Sequence, residues 1–133
     1  DDTVTYLDAT TGAYLNGTFA DSTFQVGPGR VAVNETAGIV YVTNWYADTV
    51  TYLDAATGAY LNGTFADSTF AVGAGPWPVA VNETAGIVYV ASLIDDTVTY
   101  LDAVSGDPLP LIFWNWWATG PSPSAVAIMP ARD

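Results

Sequence analysis

Apolar and polar positions alternate along this chain in short bursts, and nowhere do the apolar ones recur at the three-to-four-residue spacing of an amphipathic helix. The run Thr3-Val4-Thr5-Tyr6-Leu7 is rich in β-branched and aromatic residues, and an extended strand would turn Val4 and Tyr6 to one face and Leu7 to the other. Ile39-Val40-Tyr41-Val42 is apolar throughout, so both faces of that strand need cover. Turn-forming text separates these runs, as in "DATTG" from Asp8 and "NETAG" from Asn34. The pattern predicts strands over 3–7, 13–19 ("AYLNGTF"), 31–33 and 39–44, with 19–24 and 26–29 as connections. Sheets apolar on both faces must stack on other sheets.

The same text then returns. "DTVTYLDA" begins at residues 2, 48 and 96, and "VAVNETAGIVYV" stands unchanged at 31–42 and 79–90. Between 2–26 and 48–72 only Thr10/Ala56 and Gln25/Ala71 differ. The third copy starts faithfully and then departs into "VSGDPLPLIFWNWWATGPSPSAVAIMPARD". Four short strands in each period of about 47 residues, stacked on both faces, is the arithmetic of a β-propeller blade. The expected fold is therefore all-β, with four-stranded antiparallel propeller-type blades.

The residues also resemble a family. "IVYVTN" at 39–44, "DTVTYLDAATG" at 48–58, the Val-Gly-Pro region and "VAVNETAG" together are similar to the YVTN repeat, a bacterial and archaeal relative of the NHL propellers. The second copy softens Tyr-Val-Thr-Asn to Tyr-Val-Ala-Ser, Asn-Glu-Thr-Ala-Gly stands where Ser-Pro-Asp-Gly is usual, and "NGTFADSTF" lengthens the fourth-strand region. The resemblance implies an architecture rather than a reaction, and a secreted or surface-layer setting.

Strand counting divides the chain into a partial blade at 1–30, blades at 31–78 and 79–124, and a further partial blade at 125–133, one repeat domain in all. With each blade's strands lettered a to d, the chain begins at a c strand and ends in an a strand at 125–129. That is about two and three-quarter blades, whereas closed propellers have roughly four to eight. An incomplete propeller or open blade array is expected, completed by other chains through the strand edges at Val4 and Val126. Opening on Asp1 rather than Met, the chain is expected to be a processed product or a fragment.

Composition narrows the chemistry. The net charge is −12, with fourteen acidic residues against Arg30 and Arg132, so nucleic acid and anionic lipid are excluded as partners. Without His, Cys or Lys there is no zinc finger, thiol nucleophile, Ser-His-Asp triad, Schiff base or phosphate-loop lysine. No apolar run approaches the length of a membrane span. Paired carboxylates in near-identical repeats share near-identical environments, so no acid–base pair with separated pKa values is expected, and neither catalytic residues nor a cofactor are assigned. Asp8, Asp54 and Asp102 each close the same strand and read as turn formers; Asp1, Asp2, Asp48, Asp95 and Asp96 match no calcium loop, and no metal is assigned.

Asn16, Asn34, Asn62 and Asn82 all satisfy the Asn-x-Ser/Thr acceptor pattern and are candidate N-glycan sites at turns or strand edges, alongside the plainer reading of a turn Asn with a strand Thr. Asymmetry between the copies is concentrated in "TNWYAD" against "ASLIDD", which singles out Trp45 and Tyr46, and in the late segment with Phe113, Trp114, Trp116 and Trp117. That aromatic cluster fits core packing, an interface between chains, or stacking on sugar rings. The function expected is a non-enzymatic, N-glycosylated extracellular or cell-surface structural protein whose copies join head to tail into a filament, layer or ring. The alternatives are an oligomeric propeller module that recognises carbohydrate or peptide, and a repeat protein of engineered origin.

Overall fold

The computed structural model describes residues 2–109, and it is all-β with nine strands among those residues. The first sheet pairs β1 (Thr3–Thr5) with β2 (Thr23–Gln25). The second orders β3 (Val31–Asn34), β4 (Ile39–Asn44), β5 (Thr49–Asp54) and β6 (Thr69–Ala71). The third orders β7 (Pro76–Asn82), β8 (Ile87–Ser92) and β9 (Thr97–Asp102). Every pairing is antiparallel. In repeat letters the described chain reads c-d, a-b-c-d, a-b-c, as the strand count anticipated. The terminal strand expected at 125–129 lies outside the described residues.

The middle sheet explains why Ile39 to Val42 is apolar throughout. Ile39, Tyr41, Val50 and Tyr52 pack into one cluster with Val88, Val90 and Leu101 of the third sheet. Val40, Val42 and Leu53 turn the other way, onto Val26, Val4 and Tyr6 of the first. Both faces of β4 and β5 are covered by neighbouring blades, and the even-odd split in "TVTYL" is the one expected. Tyrosine hydroxyls stitch the seams. Tyr41 Oη donates to the Ala103 carbonyl at 2.7 Å and Tyr52 Oη to that of Asp102 at 2.9 Å, while Tyr60 Oη reaches the Gln25 carbonyl at 2.9 Å.

The fourth strand departs from expectation. "AYLNGTF" is no strand: after one bridge, Leu7 to Tyr14, the chain turns at Gly17 (φ 92°) and enters a 3-10 turn over Ala20–Ser22. Polar side chains hold it there. Asn16 Nδ2 donates to the Asp21 carbonyl at 2.9 Å and Thr18 Oγ1 to the Asp21 carboxylate at 2.7 Å, and the Asn62 loop repeats both bonds. Local side-chain bonds of this kind compete successfully with a strand ladder. Strand d is instead Thr23–Gln25 and Thr69–Ala71, within or just past text read as connection. The Phe in each lies over a turn glycine of the next blade, Phe24 on Gly58 and Phe70 on Gly106.

The third sheet begins at Pro76, three residues before the boundary expected at Val79. The register shifts by one residue between Pro76 and Val79, so part of the two-residue gain of the second copy is taken up as a bulge in an edge strand of that sheet. Proline is tolerated there because an edge strand need not donate on its open side.

Candidate functional site

Two features of the described residues differ from ordinary blade packing: a rim cleft and an uncovered face. The rim is the end of the sheets where strand b turns into c and where d leads into the next a. Thr43 and Asn44, the last two residues of Tyr-Val-Thr-Asn, hold it together. Gly27 N–H donates to Asn44 Oδ1 at 2.6 Å, Arg30 N–H to Thr43 Oγ1 at 2.8 Å, and Trp45 N–H to the Pro28 carbonyl at 2.9 Å. Asn44 Nδ2 donates in turn to Thr49 and Thr51 hydroxyls at 2.9 and 2.8 Å. The Thr43 hydroxyl also donates to the Trp77 carbonyl at 3.0 Å, which ties the bulge of the third sheet to the second.

These bonds set Pro28, Trp45, Tyr46, Trp77 and Leu93 around a cleft of about 330 Å³. The Trp45 and Trp77 rings meet edge to face, 5.5 Å between centroids and at 90°. The Arg30 guanidinium lies 5.1 Å from the Trp77 ring centroid, a cation–π arrangement. Tyr46 is 83% exposed at the mouth. Of these, Trp45 and Tyr46 were singled out from the sequence as contact residues. Pro28, Trp77 and Leu93 were not, and the available signal was the change from "VGPGRVAV" to "VGAGPWPVAV", read only as a difference in length.

Uncovered apolar surface flanks the first blade, with Leu7 on the side turned away from the second blade and Val31 and Val33 on the face of β3 turned toward the first. Leu7 is 52% exposed, whereas its copies Leu53 and Leu101 are fully buried at seams. Val31 and Val33 are likewise exposed, whereas Val79 and Val81 pack against the cluster between the second and third sheets. A groove of about 390 Å³ lined by Val4, Val26, Val31 and Val42, among others, runs beside β1. Among the described strands β1 pairs only with β2, while β5, its copy, pairs on both edges. Val4 itself packs inward, so its place at a contact is through the strand edge. Phe113, Trp114, Trp116, Trp117 and Val126 lie outside the described residues.

The four sequon asparagines separate. Asn16 and Asn62 are exposed on the outer loops and Asn82 is half-buried. Asn34 does not project as its turn position led us to expect: it is buried, its Oδ1 accepts from Ala37 N–H at 2.9 Å, and its Nδ2 donates to Tyr41 Oη at 3.1 Å. Burial at the seam raises the Tyr41 hydroxyl to a pKa of about 12 and pushes Tyr52 higher still; burial, and then the Asp54 charge, raises Tyr6 to about 12. Asp8, Asp54 and Asp102 cap their turns as expected. The N–H groups of Thr11, Thr57 and Ser105 are the largest influence holding the respective carboxylates below the usual range. Among the described residues no three acidic side chains come together as a metal would need, and no helix is long and apolar enough to cross a membrane.

No protein-family model matches the chain and no curated protein matches it. Its structure is similar to hydrazine synthase from Kuenenia stuttgartiensis, with a TM-score of 0.54 and 22% identity over 62% of this chain and 22% of that one. It is also similar to apo AztD from Citrobacter koseri, with a TM-score of 0.54 and 20% identity over 81% of this chain and 28% of that one. The fold is propeller-like. The described sheets are antiparallel blades of an incomplete propeller, and the chain spans less than a third of either structure it matches.

Proposed function

We propose that this chain is a non-enzymatic structural subunit of the YVTN type, extracellular or at the cell surface, whose copies join head to tail. The observation that carries this reading is the mismatch in burial between identical residues, Leu7 against Leu53 and Val31 and Val33 against Val79 and Val81. Wherever the repeat is internal, another blade covers those side chains. Surfaces that are apolar, that flank an open strand edge and that match those this chain buries between its own blades are suited to a second copy. Head-to-tail contacts that close give a ring, and those that do not give a filament or layer. The Tyr-Val-Thr-Asn residues support the repeat assignment, since Tyr41 locks a seam and Thr43 and Asn44 pin the rim.

The full chain is expected to sediment as oligomers at micromolar concentration. Changing Leu7 and Val33 together to Asp should weaken association by about tenfold or more, because a desolvated contact then holds unpaired charge. Both positions are exposed within the chain, so the β circular dichroism should persist. A monomeric wild-type chain, or association unaltered in the variant, would overturn the reading.

N-glycans on Asn16, Asn62 and Asn82 belong to the same proposal, and the enclosed amide of Asn34 leaves it out. Intact mass of material from the native source should exceed that of the polypeptide, with peptide mapping placing sugar at one or more of those three positions. The bare mass, or sugar on Asn34, would contradict it. A recognition role is the second reading, favoured by the rim cleft.

A further inference from the structure

Comparing the copies position by position sets the cleft apart. Between residues 2–48 and their copies at 48–96, the sequence changes only at Thr10/Ala56 and Gln25/Ala71 outside the rim. All remaining differences fall in two segments. One replaces Pro28 by Ala74 and Arg30 by Pro76-Trp77-Pro78; the other replaces Thr43-Asn44-Trp45-Tyr46-Ala47 by Ala91-Ser92-Leu93-Ile94-Asp95. The fold brings these segments together at one rim, and each repeat contributes a different part of one cleft: Pro28, Trp45 and Tyr46 from the first, Trp77 and Leu93 from the second. Blade packing does not call for the aromatic residues, because Leu93 and Ile94 occupy the same turn positions in the second repeat.

The polar chemistry of the cleft is one-sided. Indole N–H groups only donate, and of the five lining side chains only the Tyr46 hydroxyl can accept. The indole N–H groups of Trp45 and Trp77 and the Tyr46 hydroxyl have no hydrogen-bond partner among the described residues, so a ligand would meet donors beside aromatic faces. Each sugar hydroxyl carries a donor beside its acceptor lone pairs, and among the lining side chains those donors would meet only the Tyr46 oxygen. Anions face a chain of net charge −12 in which Arg30 is the one Lys or Arg among the described residues. Proline-rich peptide offers the complement: each residue has a carbonyl acceptor and no N–H, a flat apolar ring, and no charge.

We infer that the Pro28–Trp45–Tyr46–Trp77–Leu93 cleft binds an uncharged, proline-rich peptide in the extended polyproline conformation. The perpendicular indoles form a floor and a wall for successive pyrrolidine rings, and donors at the edge meet the carbonyls. Because that conformation is populated before binding, little ordering entropy opposes a small contact. The inference rests on the recognition reading of the rim and is independent of assembly through the blade faces.

The test is a calorimetric titration of the full-length chain with an acetylated decaproline amide, beside a Gly-Ser decapeptide and a panel of neutral and acidic oligosaccharides. Decaproline is expected to bind saturably with an affinity little changed by salt, and the Gly-Ser peptide not to bind. The variant Trp45→Leu/Tyr46→Ile takes its residues from the other repeat and so keeps the fold. It should lower decaproline affinity by about tenfold. Arg30→Ala, which frees the Trp77 ring of its guanidinium neighbour but removes no lining residue, should lower it by a smaller factor. Binding of a saccharide without decaproline would overturn the peptide assignment and keep a recognition site. Absence of saturable binding by every probe would sink both, and undiminished decaproline binding by the double variant would remove the cleft from the interaction. The blade-face variant Leu7→Asp/Val33→Asp should bind decaproline as the wild type does.

Discussion

Replacing Tyr52 by alanine is expected to lower the free energy of unfolding by about 3–5 kcal/mol, the range for deleting a large buried aromatic side chain. Tyr52 is fully buried, packs edge to face on Tyr41 and Phe70 at 4.6 and 4.8 Å between centroids, and donates across the seam to Asp102. A domain of this size has only roughly 5–15 kcal/mol in hand, so the variant would sit near its unfolding threshold at room temperature. Tyr6 is the same residue in the same strand of the first repeat, but it is only half-buried and its hydroxyl has no partner among the described residues. Tyr6→Ala should therefore cost less than half as much. Urea unfolding followed by circular dichroism measures both, and equal losses would contradict the assignment of β4 and β5 as the strands covered on both faces.

Gly58→Ala tests the other seam contact with an equally close control. Gly58 and Gly12 sit in corresponding turns with φ of 78° and 73°, so an added Cβ strains both backbones by about 1–2 kcal/mol. Only at Gly58 would that Cβ also run into a ring, that of Phe24 from the preceding blade; at Gly12 it meets open space. Overpacking adds roughly 1–3 kcal/mol. Gly58→Ala should thus lose about 2–5 kcal/mol and Gly12→Ala about 1–2 kcal/mol. The same urea curves decide it: matching losses would show that Phe24 does not depend on the glycine for its place.

Strands a, b and c were legible because their residues declare a period and a burial requirement together, as Ile39 to Val42 and Thr49 to Leu53 do. Strand d was not. Tyr14 and Leu15 look like strand residues, but the chain is turned by the bonds that Asn16 and Thr18 make to Asp21, which hydropathy does not register. The true strand, Thr-Phe-Gln or Thr-Phe-Ala, is too short to show periodicity. Its Phe is explained only by the glycine it covers, which lies in the next repeat. Of the candidate site, Trp45 and Tyr46 were visible as departures from their own copy. Trp77 was not, because what gives it meaning is proximity to Trp45, 32 positions away, across a bulge that no local pattern announces. The expectation of a projecting Asn34 failed for a related reason: the Tyr41 hydroxyl that receives its amide is fixed from the third sheet, by Ala103.

The identity of the repeats bears on how the chain finds its pairings. β5 and β9 both read Thr-Val-Thr-Tyr-Leu-Asp, so β4 meets the same six side chains whichever of them it joins. Side-chain complementarity cannot choose between them. Loop length can: β4 reaches β5 through four residues (45–48) and would reach β9 only through fifty-two (45–96). Closing the longer loop costs roughly 2 kcal/mol more in chain entropy. The short hairpin wins on proximity alone, and it does so within one chain. Between chains at high concentration that advantage shrinks, and identical hairpins can exchange partners at no cost in contacts. The rim, where the repeats differ, is then the part of the molecule that distinguishes a correctly ordered set of blades from a shuffled one.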